Sequence, residues 1–257
     1  MKFSLGSIGR RLGQLRLGQC LVCERWPQAT VCAACTQQFT QPIARCETCA
    51  IALAPGLLTQ TAGERTLLRC VACTKTPAPL GRCFAAVDYA YPWDGLVQQF
   101  KYQQQPGLAP MLAALWQAEV VDAPAAYAVS QPTWLLPIPM SPQRLAQRGY
   151  NQSRLLARAL VHLVPTLQMA PEHWLVRNPA TDNLNPQAEN TRTERLKRMK
   201  HAFVVPPDAA TEVAGNHVLL LDDVMTTGAT LFAAARALRH AGAAGVDAVC
   251  LARTPAE

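Results

Sequence analysis

The segment from Val218 to Thr230 constrains the fold more than any other part of this 257-residue chain. Four aliphatic residues end at Leu221 and are followed by two acids, Asp222 and Asp223, by two apolar residues, and by a Thr-Thr-Gly turn. A continuous aliphatic run is typical of a strand that is buried on both faces. The turn predicts a helix N-terminus, whose unpaired N–H groups and partial positive charge favour phosphate. The pattern therefore predicts a strand, a phosphate-binding loop and a helix in that order.

The rest of the C-terminal part alternates between predicted strands and predicted helices. The sequence predicts strands at Phe84–Tyr91, Trp134–Ile138 and Val246–Leu251, and helices at Leu108–Val121, Ser153–Leu163 and Thr230–Ala241. Such alternation indicates an α/β fold with a mostly parallel sheet and helices on both faces. The proline-rich segment Lys75–Gly81 interrupts the pattern, because proline continues neither a helix nor a central strand. We therefore expect a cysteine-rich module over residues 20–80 and an α/β domain over residues 81–257.

Residues 1–19 place Leu5, Ile8, Leu12 and Leu15 at helical spacing, with arginines between them. This pattern predicts a short amphipathic helix, which we expect to pack on the protein rather than to contact a membrane. The segment lacks the continuous apolar region of a signal peptide. No apolar run in the chain reaches the roughly 18 residues of a membrane span. We therefore expect a cytoplasmic protein with reduced cysteines.

Four CxxC pairs follow one another in the N-terminal part of the chain. Their members are Cys20, Cys23, Cys32, Cys35, Cys46, Cys49, Cys70 and Cys73. Two intervening residues let a tight turn aim both sulfurs at one ion, and two such turns complete a tetrahedral zinc site. We predict two closed, structural zinc sites, pairing the first turn with the second and the third with the fourth. An interleaved pairing also fits the spacing, and disulfide or redox pairs are the less favoured alternative.

The net charge of +7 indicates an anionic partner only weakly. Eight zinc-bound thiolates and two Zn²⁺ ions would lower it to about +3. Cysteine modules of this kind bind nucleic acid or protein, or only brace a domain. Cys83 and Cys250 lie outside the paired pattern and are expected to be packing residues.

The chemistry of the loop after Leu221 points to a sugar phosphate. Adjacent carboxylates suit the two hydroxyls of a ribose, directly or through Mg²⁺. Gly228 allows close backbone approach, and Thr226, Thr227 and Thr230 add hydroxyl groups. The alternative is that the acids and threonines only cap the helix. Two adjacent acids at the end of a buried strand are costly unless a ligand or metal uses them, which favours the binding site.

The same segment resembles the phosphoribosyl pyrophosphate (PRPP) signature of type I phosphoribosyltransferases. That signature has four apolar residues, two acids, two apolar residues and a Thr/Gly turn, and each position is matched here. The resemblance implies a type I phosphoribosyltransferase-like fold in which Asp222 and Asp223 contact the ribose hydroxyls. It implies the PRPP-binding set Asp222, Asp223, Val224, Met225, Thr226, Thr227, Gly228, Ala229 and Thr230, with the last five on the 5′-phosphate.

Two further segments narrow the resemblance. Pro137-Ile138-Pro139-Met140-Ser141, Arg144 and Arg148-Gly149-Tyr150-Asn151-Gln152 are similar to a stretch of the ComF family, and Phe100-Lys101-Tyr102 and the leading cysteine pairs match as well. That family is linked to DNA uptake in competent bacteria and includes double-zinc-ribbon, gluconate-associated relatives. The likeness covers nearly the whole chain.

The resemblance implies glycosyltransferase chemistry, namely Mg²⁺-dependent transfer of a phosphoribosyl group to an unidentified acceptor. The expected catalytic residues are Asp222, Asp223, Lys101 and Arg148, and the expected pyrophosphate loop comprises Pro139, Met140, Ser141 and the nearby Arg144. For any one of these cations, a solvated helix face is the alternative interpretation. Asn151 is equally suited to cap a helix.

A second hypothesis assigns the protein a role without catalysis. It would bind single-stranded DNA or competence proteins and use PRPP binding as a sensor. The zinc ribbons, the family's link to competence and a basic run motivate it. The basic run comprises Arg192, Arg195, Lys197, Arg198 and Lys200.

Overall fold

The computed structural model describes residues 18–54, 68–76, 78–116, 133–182 and 201–255. The chain divides into two compact units, Met1–Gln41 and Pro42–Glu257. The second unit thus begins ahead of the sequence-based division at residue 81, and it includes the third and fourth cysteine pairs. The predicted N-terminal helix lies outside the described residues except for its last two positions. The basic run before residue 201 lies outside them entirely.

The first unit contains one described helix, α1 (Ala33–Phe39). Its N-cap is Cys32, whose sulfur accepts a hydrogen bond from the backbone N–H of Cys35 at 3.5 Å. An isolated antiparallel bridge joins Gly18 to Gln28 and closes the loop that carries Cys20. The start of α1 therefore aims the sulfurs of the second cysteine pair in one direction.

The strands of the second unit are β1 (Cys83–Asp88), β2 (Thr133–Pro137), β3 (Leu167–Met169), β4 (Val176–Arg177), β5 (Phe203–Val204), β6 (His217–Met225) and β7 (Gly245–Arg253). Among the described residues, five of them form one sheet in the order β1-β7-β6-β2-β3. Every pairing in that sheet is parallel. Strands β4 and β5 form a separate antiparallel pair.

The helices of the second unit are α2 (Val71–Lys75), α3 (Trp93–Tyr102), α4 (Ala109–Ala114), α5 (Pro142–Arg148), α6 (Gln152–Leu163), α7 (Pro179–Asp182), α8 (Pro207–Val213) and α9 (Ala229–His240). Helix α6 packs against α4, β2, β3 and β6, and α9 packs against β5, β6 and β7. None of the helices in the described part of the chain is long and apolar enough to cross a membrane.

Side-chain alternation along β6 shows that helices cover both faces of the sheet. Leu220 shares a core cluster with Leu231 and Leu238 of α9. Its neighbours Leu219 and Leu221 are equally buried but lie outside that cluster. Because successive side chains of a strand point to opposite faces, these two lie on the other side of the sheet. The predicted parallel α/β architecture with helices on both faces is confirmed.

Element bounds differ most from the sequence prediction at three elements. Strand β1 ends at Asp88, because the chain then turns through Pro92 into α3, a helix that the sequence did not indicate. Helix α4 ends at Ala114, and residues 117–132 lie outside the described part. Strand β6 does not end at Leu221 but continues to Met225, because β7 offers partners as far as Arg253.

Candidate functional site

The adjacent acids lie near the carboxyl end of β6 and inside its ladder with β7. Asp222 Oδ1 accepts a hydrogen bond from Ser153 Oγ at 3.1 Å and one from the backbone N–H of Asp223 at 2.9 Å. Asp223 Oδ1 lies 2.9 Å from Lys101 Nζ in a largely buried ion pair. Helices α3 and α6 therefore each contribute one side chain that holds one of the two carboxylates.

Burial raises the pKa of Asp222 to about 7, and the neighbouring charge of Asp223 acts in the same direction. The backbone N–H of Asp223, the Lys101 ammonium group and the Ser153 hydroxyl oppose this rise in pKa. Near neutral pH, Asp222 is therefore poised between its protonated and charged forms. A cation that binds at Asp222 displaces a proton there, so its affinity rises with pH.

The loop after β6 is shaped by Gly228, which has φ of +80° at the N-cap of α9. The positive φ favours glycine, and a Cβ at this position would lie 2.4 Å from Met225 Cε, so a larger residue would also displace that buried methyl group. Thr227 Oγ1 accepts a hydrogen bond from the Ala229 N–H at 3.4 Å, and Thr226 and Thr227 are both exposed. Other N–H groups in the first turn of a helix have no partner within it, so they form a site for an anion.

The capping alternative thus describes Thr227 but not the acids. The side chains of Asp222 and Asp223 bond to Ser153 and Lys101 and to backbone N–H groups within the strand. They lie upstream of the helix rather than at its first turn.

The turn after β2 lies beside Leu221 of β6, directly before the two acids. The Ile138 N–H donates to the Leu221 carbonyl oxygen at 2.9 Å, which extends the ladder past Pro137. Asn151 Nδ2 donates to the Ile138 carbonyl oxygen at 3.0 Å, and its Oδ1 accepts from the N–H of Arg154 at 3.3 Å. Asn151 therefore caps α6 and also holds the segment that leads into Pro139, Met140 and Ser141.

Helix α5 carries the two arginines of the predicted pyrophosphate site. Ser141 is its N-cap and accepts from the Arg144 N–H at 3.4 Å, and the side chain of Arg144 is exposed. Arg148 Nη1 donates to Gln152 Oε1 at 3.2 Å, and Nη2 donates to the Tyr102 hydroxyl at 3.3 Å. Tyr102 follows Lys101 and Gln152 precedes Ser153, so Arg148 bonds the sequence neighbours of both groups that hold the acids.

The eight paired cysteines form two clusters in sequence order. The first cysteine cluster comprises Cys20, Cys23, Cys32 and Cys35, and the second cysteine cluster comprises Cys46, Cys49, Cys70 and Cys73. This grouping agrees with the sequential pairing and not with the interleaved one. All ten cysteines are free thiols, so the disulfide alternative is not supported.

The sulfur separations fit a tetrahedral metal site. They are 4.0 Å for Cys20–Cys35, 3.8 Å for Cys23–Cys32 and 3.7 Å for Cys49–Cys70. A tetrahedron with metal–sulfur bonds of about 2.3 Å has sulfur–sulfur edges of about 3.8 Å. Each cluster can therefore hold one metal ion.

The leading cysteine of each cluster has a lowered pKa. Burial would raise the pKa of Cys20, but backbone N–H groups from Cys23, Cys32 and Val22 outweigh it and lower the pKa to about 6. A hydrogen bond from the Cys49 side chain, with backbone N–H groups, lowers the pKa of Cys46 to about 4 against the effect of burial. Each cluster thus stabilises a thiolate, the form that metals bind.

Comparison with known proteins assigns the chain to a family. Residues 180–257 match the phosphoribosyl transferase domain family. The DNA utilization protein YhgH of Salmonella typhimurium is 30% identical over 92% of this chain and 97% of its own length. Competence protein F of Haemophilus influenzae is 29% identical over 72% of this chain and 78% of its own. The chain belongs to the ComF family. A further relative of this ComF-family protein is competence protein ComFC of Bacillus subtilis, 36% identical over 47% of this chain and 44% of its own.

The domain match confirms the predicted phosphoribosyltransferase-like fold of the ComF-family protein. Among solved structures, a hypoxanthine phosphoribosyltransferase from Trypanosoma cruzi aligns with a TM-score of 0.37 and 13% identity. That alignment covers 58% of this chain and 79% of the other.

The sequence alone does not indicate two of the side chains at the site of this ComF-family protein. Its periodicity places Ser153 in a helix but does not show that this residue bonds Asp222 of β6. Arg253 lies at the end of β7 and is buried, with four backbone carbonyl oxygens as acceptors. The signal for Arg253 was present, since a charged residue directly after a buried aliphatic strand needs a specific set of partners.

Proposed function

We propose that this ComF-family protein binds PRPP with Mg²⁺ and transfers its phosphoribosyl group to an acceptor. The observation that carries this proposal is the adjacency of three features at one edge of the sheet. They are the carboxylates of Asp222 and Asp223, the N-terminus of α9 behind Gly228, and the turn after β2. This edge is formed by the carboxyl ends of the strands, where open α/β sheets bind their ligands.

The loop would hold the 5′-phosphate and the acids would hold the ribose. Backbone N–H groups between Thr226 and Thr230, with the threonine hydroxyls, suit a phosphate dianion. Buried Met225 forms the base of the loop, and Val224 and Ala229 complete the bound segment. The carboxylate oxygens of Asp222 and Asp223 suit the two ribose hydroxyls as acceptors.

The same carboxylates fit Mg²⁺, which prefers oxygen ligands and usually keeps several waters. When bound, Mg²⁺ would neutralise charge on the pyrophosphate. On the protein side, Pro139, Met140 and Ser141 would line the pyrophosphate, with Arg144 and Arg148 supplying positive charge. Arg144 is exposed at the first turn of α5 and therefore available to a ligand.

Catalysis by such a site depends on positioning and on charge. Pyrophosphate leaves C1 of the ribose as the acceptor approaches, and positive charge develops on the ring. Lys101 Nζ lies 2.9 Å from Asp223 Oδ1 and balances its charge. When a ribose hydroxyl or a cation takes over Asp223, the ammonium group can turn to a pyrophosphate oxygen and stabilise the leaving group.

We further propose that the metal in both cysteine clusters is zinc and that its role is structural. Four thiolates in tetrahedral geometry are typical of Zn²⁺ and leave no open position for a catalytic water. Elemental analysis should give about two zinc ions per chain. A folded protein without bound metal would contradict this assignment.

Calorimetry with PRPP and Mg²⁺ tests the binding proposal. We expect saturable binding by the wild type and a loss of at least about tenfold in affinity for Asp222→Asn and Asp223→Asn. Asp208→Asn is the matched control, because Asp208 is an exposed acid on α8. No heat from the wild type would reject PRPP as the ligand. Pyrophosphate release across a panel of bases and amines then tests transfer.

The names of the relatives favour a second candidate function, a non-catalytic accessory role in DNA handling with PRPP as a sensor. Those names refer to DNA utilization and to competence. Binding of single-stranded DNA that weakens steeply with salt, and that falls on charge reversal of Arg192, Arg195, Lys197, Arg198 and Lys200, would support it. PRPP binding without pyrophosphate release from any acceptor would favour it over transfer.

A further inference from the structure

Arg253 links the second cysteine cluster to the loop that follows β6. Its Nε donates to the Cys49 carbonyl oxygen at 2.8 Å. Its Nη1 donates to the carbonyl oxygens of Met225 at 3.2 Å, Thr226 at 2.6 Å and Thr254 at 2.7 Å. The residue is only 5% exposed, so these bonds form inside the protein rather than in water.

The guanidinium geometry makes this link rigid. The N–H groups of arginine project in fixed directions in one plane, unlike the rotating ammonium of lysine. The two hydrogens on Nη1 serve three carbonyl oxygens, so at least one is shared. A shift of Cys49 therefore either moves the guanidinium or leaves a buried donor without its acceptor, which is unfavourable.

The link also determines which way two peptide groups of the loop face. In a trans peptide the N–H points opposite to the carbonyl group. The carbonyl oxygens of Met225 and Thr226 turn inward to Arg253, and Met225 also accepts from the N–H of Thr254 at 3.0 Å. The N–H groups of Thr226 and Thr227 consequently face outward, where an anion can reach them.

On the cluster side, Cys49 lies in a turn with little freedom to adjust. The Ala50 N–H donates to the Cys46 carbonyl oxygen at 2.7 Å, with Ala50 at φ of +54°. The Ala50 carbonyl oxygen accepts from Arg45, which is paired with Asp88 at the end of β1. A metal ion on the Cys46 and Cys49 sulfurs would hold this turn at its remaining side.

We propose that Arg253 is a positioning residue that transmits the metal state of the second cysteine cluster to the phosphate loop. With metal bound, the Cys49 carbonyl oxygen holds the guanidinium, which in turn keeps the N–H groups of Thr226 and Thr227 outward. Without metal, the turn relaxes and the loop loses its binding-competent form. The identity of the anion rests on the function proposed above; the mechanical link between cluster and loop does not.

Hydrogen exchange of the loop amides in the full-length, zinc-loaded protein tests this link. Arg253→Lys keeps the positive charge but loses the planar fork, and Cys70→Ser removes the partly exposed ligand of the second cysteine cluster. We expect each variant to speed exchange about tenfold at the two amides that are bonded to the loop, Thr254 (to the Met225 carbonyl oxygen at 3.0 Å) and Ala229 (to Thr227 Oγ1 at 3.4 Å). The double variant should exchange no faster than either single variant, because both break one connection.

Arg239→Lys is the matched control, because Arg239 also donates its Nε to a backbone carbonyl oxygen, that of Pro79. It should leave exchange in the loop unchanged. The proposal would be overturned if the effects of Arg253→Lys and Cys70→Ser on the exchange rate were additive. It would also be overturned if neither variant changed the exchange rate at the loop. If Arg253→Lys does not fold, removing zinc from the wild type with a chelator tests the same link. Unchanged hydrogen exchange at the loop after chelation would reject it.

PRPP calorimetry on the same variants separates the two proposals. If the wild type binds PRPP, Arg253→Lys and Cys70→Ser should each weaken binding about tenfold and Arg239→Lys should not. If the wild type does not bind PRPP, the proposed function fails, and the exchange measurements still confirm or reject the role of Arg253.

Discussion

The first cysteine cluster lies in a compact unit that ends at Gln41, whereas the second shares a hydrophobic core with the parallel sheet. Both clusters use two CxxC turns with similar sulfur separations. Around the second, Cys46 and Cys49 pack in the same core cluster as Ala85 of β1 and Leu220 of β6. The same CxxC turn therefore occurs in two settings: a unit of a size that is usually too small for a sufficient core, and the border of a large core.

The largest expected effect concerns the first cluster. Cys20→Ser should unfold the first unit altogether, because units of about 40 residues need metal to fold. Bound zinc should fall from about two to about one ion per chain. The thermal transition of the second unit should stay in place. Limited proteolysis of residues 18–41 and scanning calorimetry measure the two outcomes. A first unit that resists protease without zinc would show that it does not depend on metal for folding.

The corresponding change in the second cluster should weaken a fold that survives. Cys46→Ser should lower the free energy of unfolding of the second unit by about 3–5 kcal/mol, at the upper end for a single substitution, because it removes a metal ligand from a buried cluster. The sheet and its packed helices supply the remaining stability. Denaturant unfolding followed by circular dichroism checks this value. An effect confined to residues 42–54 and 68–76, with the sheet transition unmoved, would contradict the shared core.

The loop offers a smaller test of how far that core extends. Gly228→Ala should cost about 2–4 kcal/mol, because it combines a positive φ with a clash against Met225 Cε. Gly215→Ala is the matched control, since Gly215 has φ of +76° but nothing within 4 Å of the added Cβ. It should cost only about 1–2 kcal/mol. Equal losses in the free energy of unfolding for the two variants would show that the packing of Met225 under the loop does not contribute to stability.

The smallest expected effect depends on pH and should change the free energy of unfolding of the second unit only. The pKa of Asp222 is raised to about 7 in the folded protein, against about 3.9 in an unfolded chain. Between these values the folded state binds more protons, so the free energy of unfolding falls as pH rises. In metal-free buffer, Asp222→Asn should therefore gain stability over the wild type at pH 8 relative to pH 4. We expect a difference on the order of 2 kcal/mol, below the roughly 4 kcal/mol that a shift of three pKa units would give, because Asp222 is half-buried and water screens part of the penalty.

Thermal scans at the two pH values measure this difference, with Asp208→Asn as the control that should show none. A stabilisation of Asp222→Asn that is the same at both pH values would mean that the carboxyl group is already charged at pH 4. A change in the thermal transition of the first unit in these scans would contradict the prediction that Asp222 affects only the second unit.

Local patterns were sufficient for much of this protein. The CxxC spacing predicted that the two cysteines of each pair serve one metal site, because two intervening residues place both sulfurs on one side of a turn. The run from Val218 to Gly228 predicted the strand, the loop and the start of α9 to within one residue of the helix start at Ala229. In both cases the determining interactions lie within a few residues along the chain.

The tertiary structure determined which distant side chains contact these local motifs. Sequence alone did not reveal that β7 extends β6 past the acids, that α3 brings Lys101 to Asp223, or that α6 brings Ser153 to Asp222. Nor did it show that Arg253 joins Cys49 to Thr226, which lie far apart in the chain. These contacts follow from strand order and helix packing, which depend on the whole core, whereas a turn or a helix start depends on its nearest neighbours.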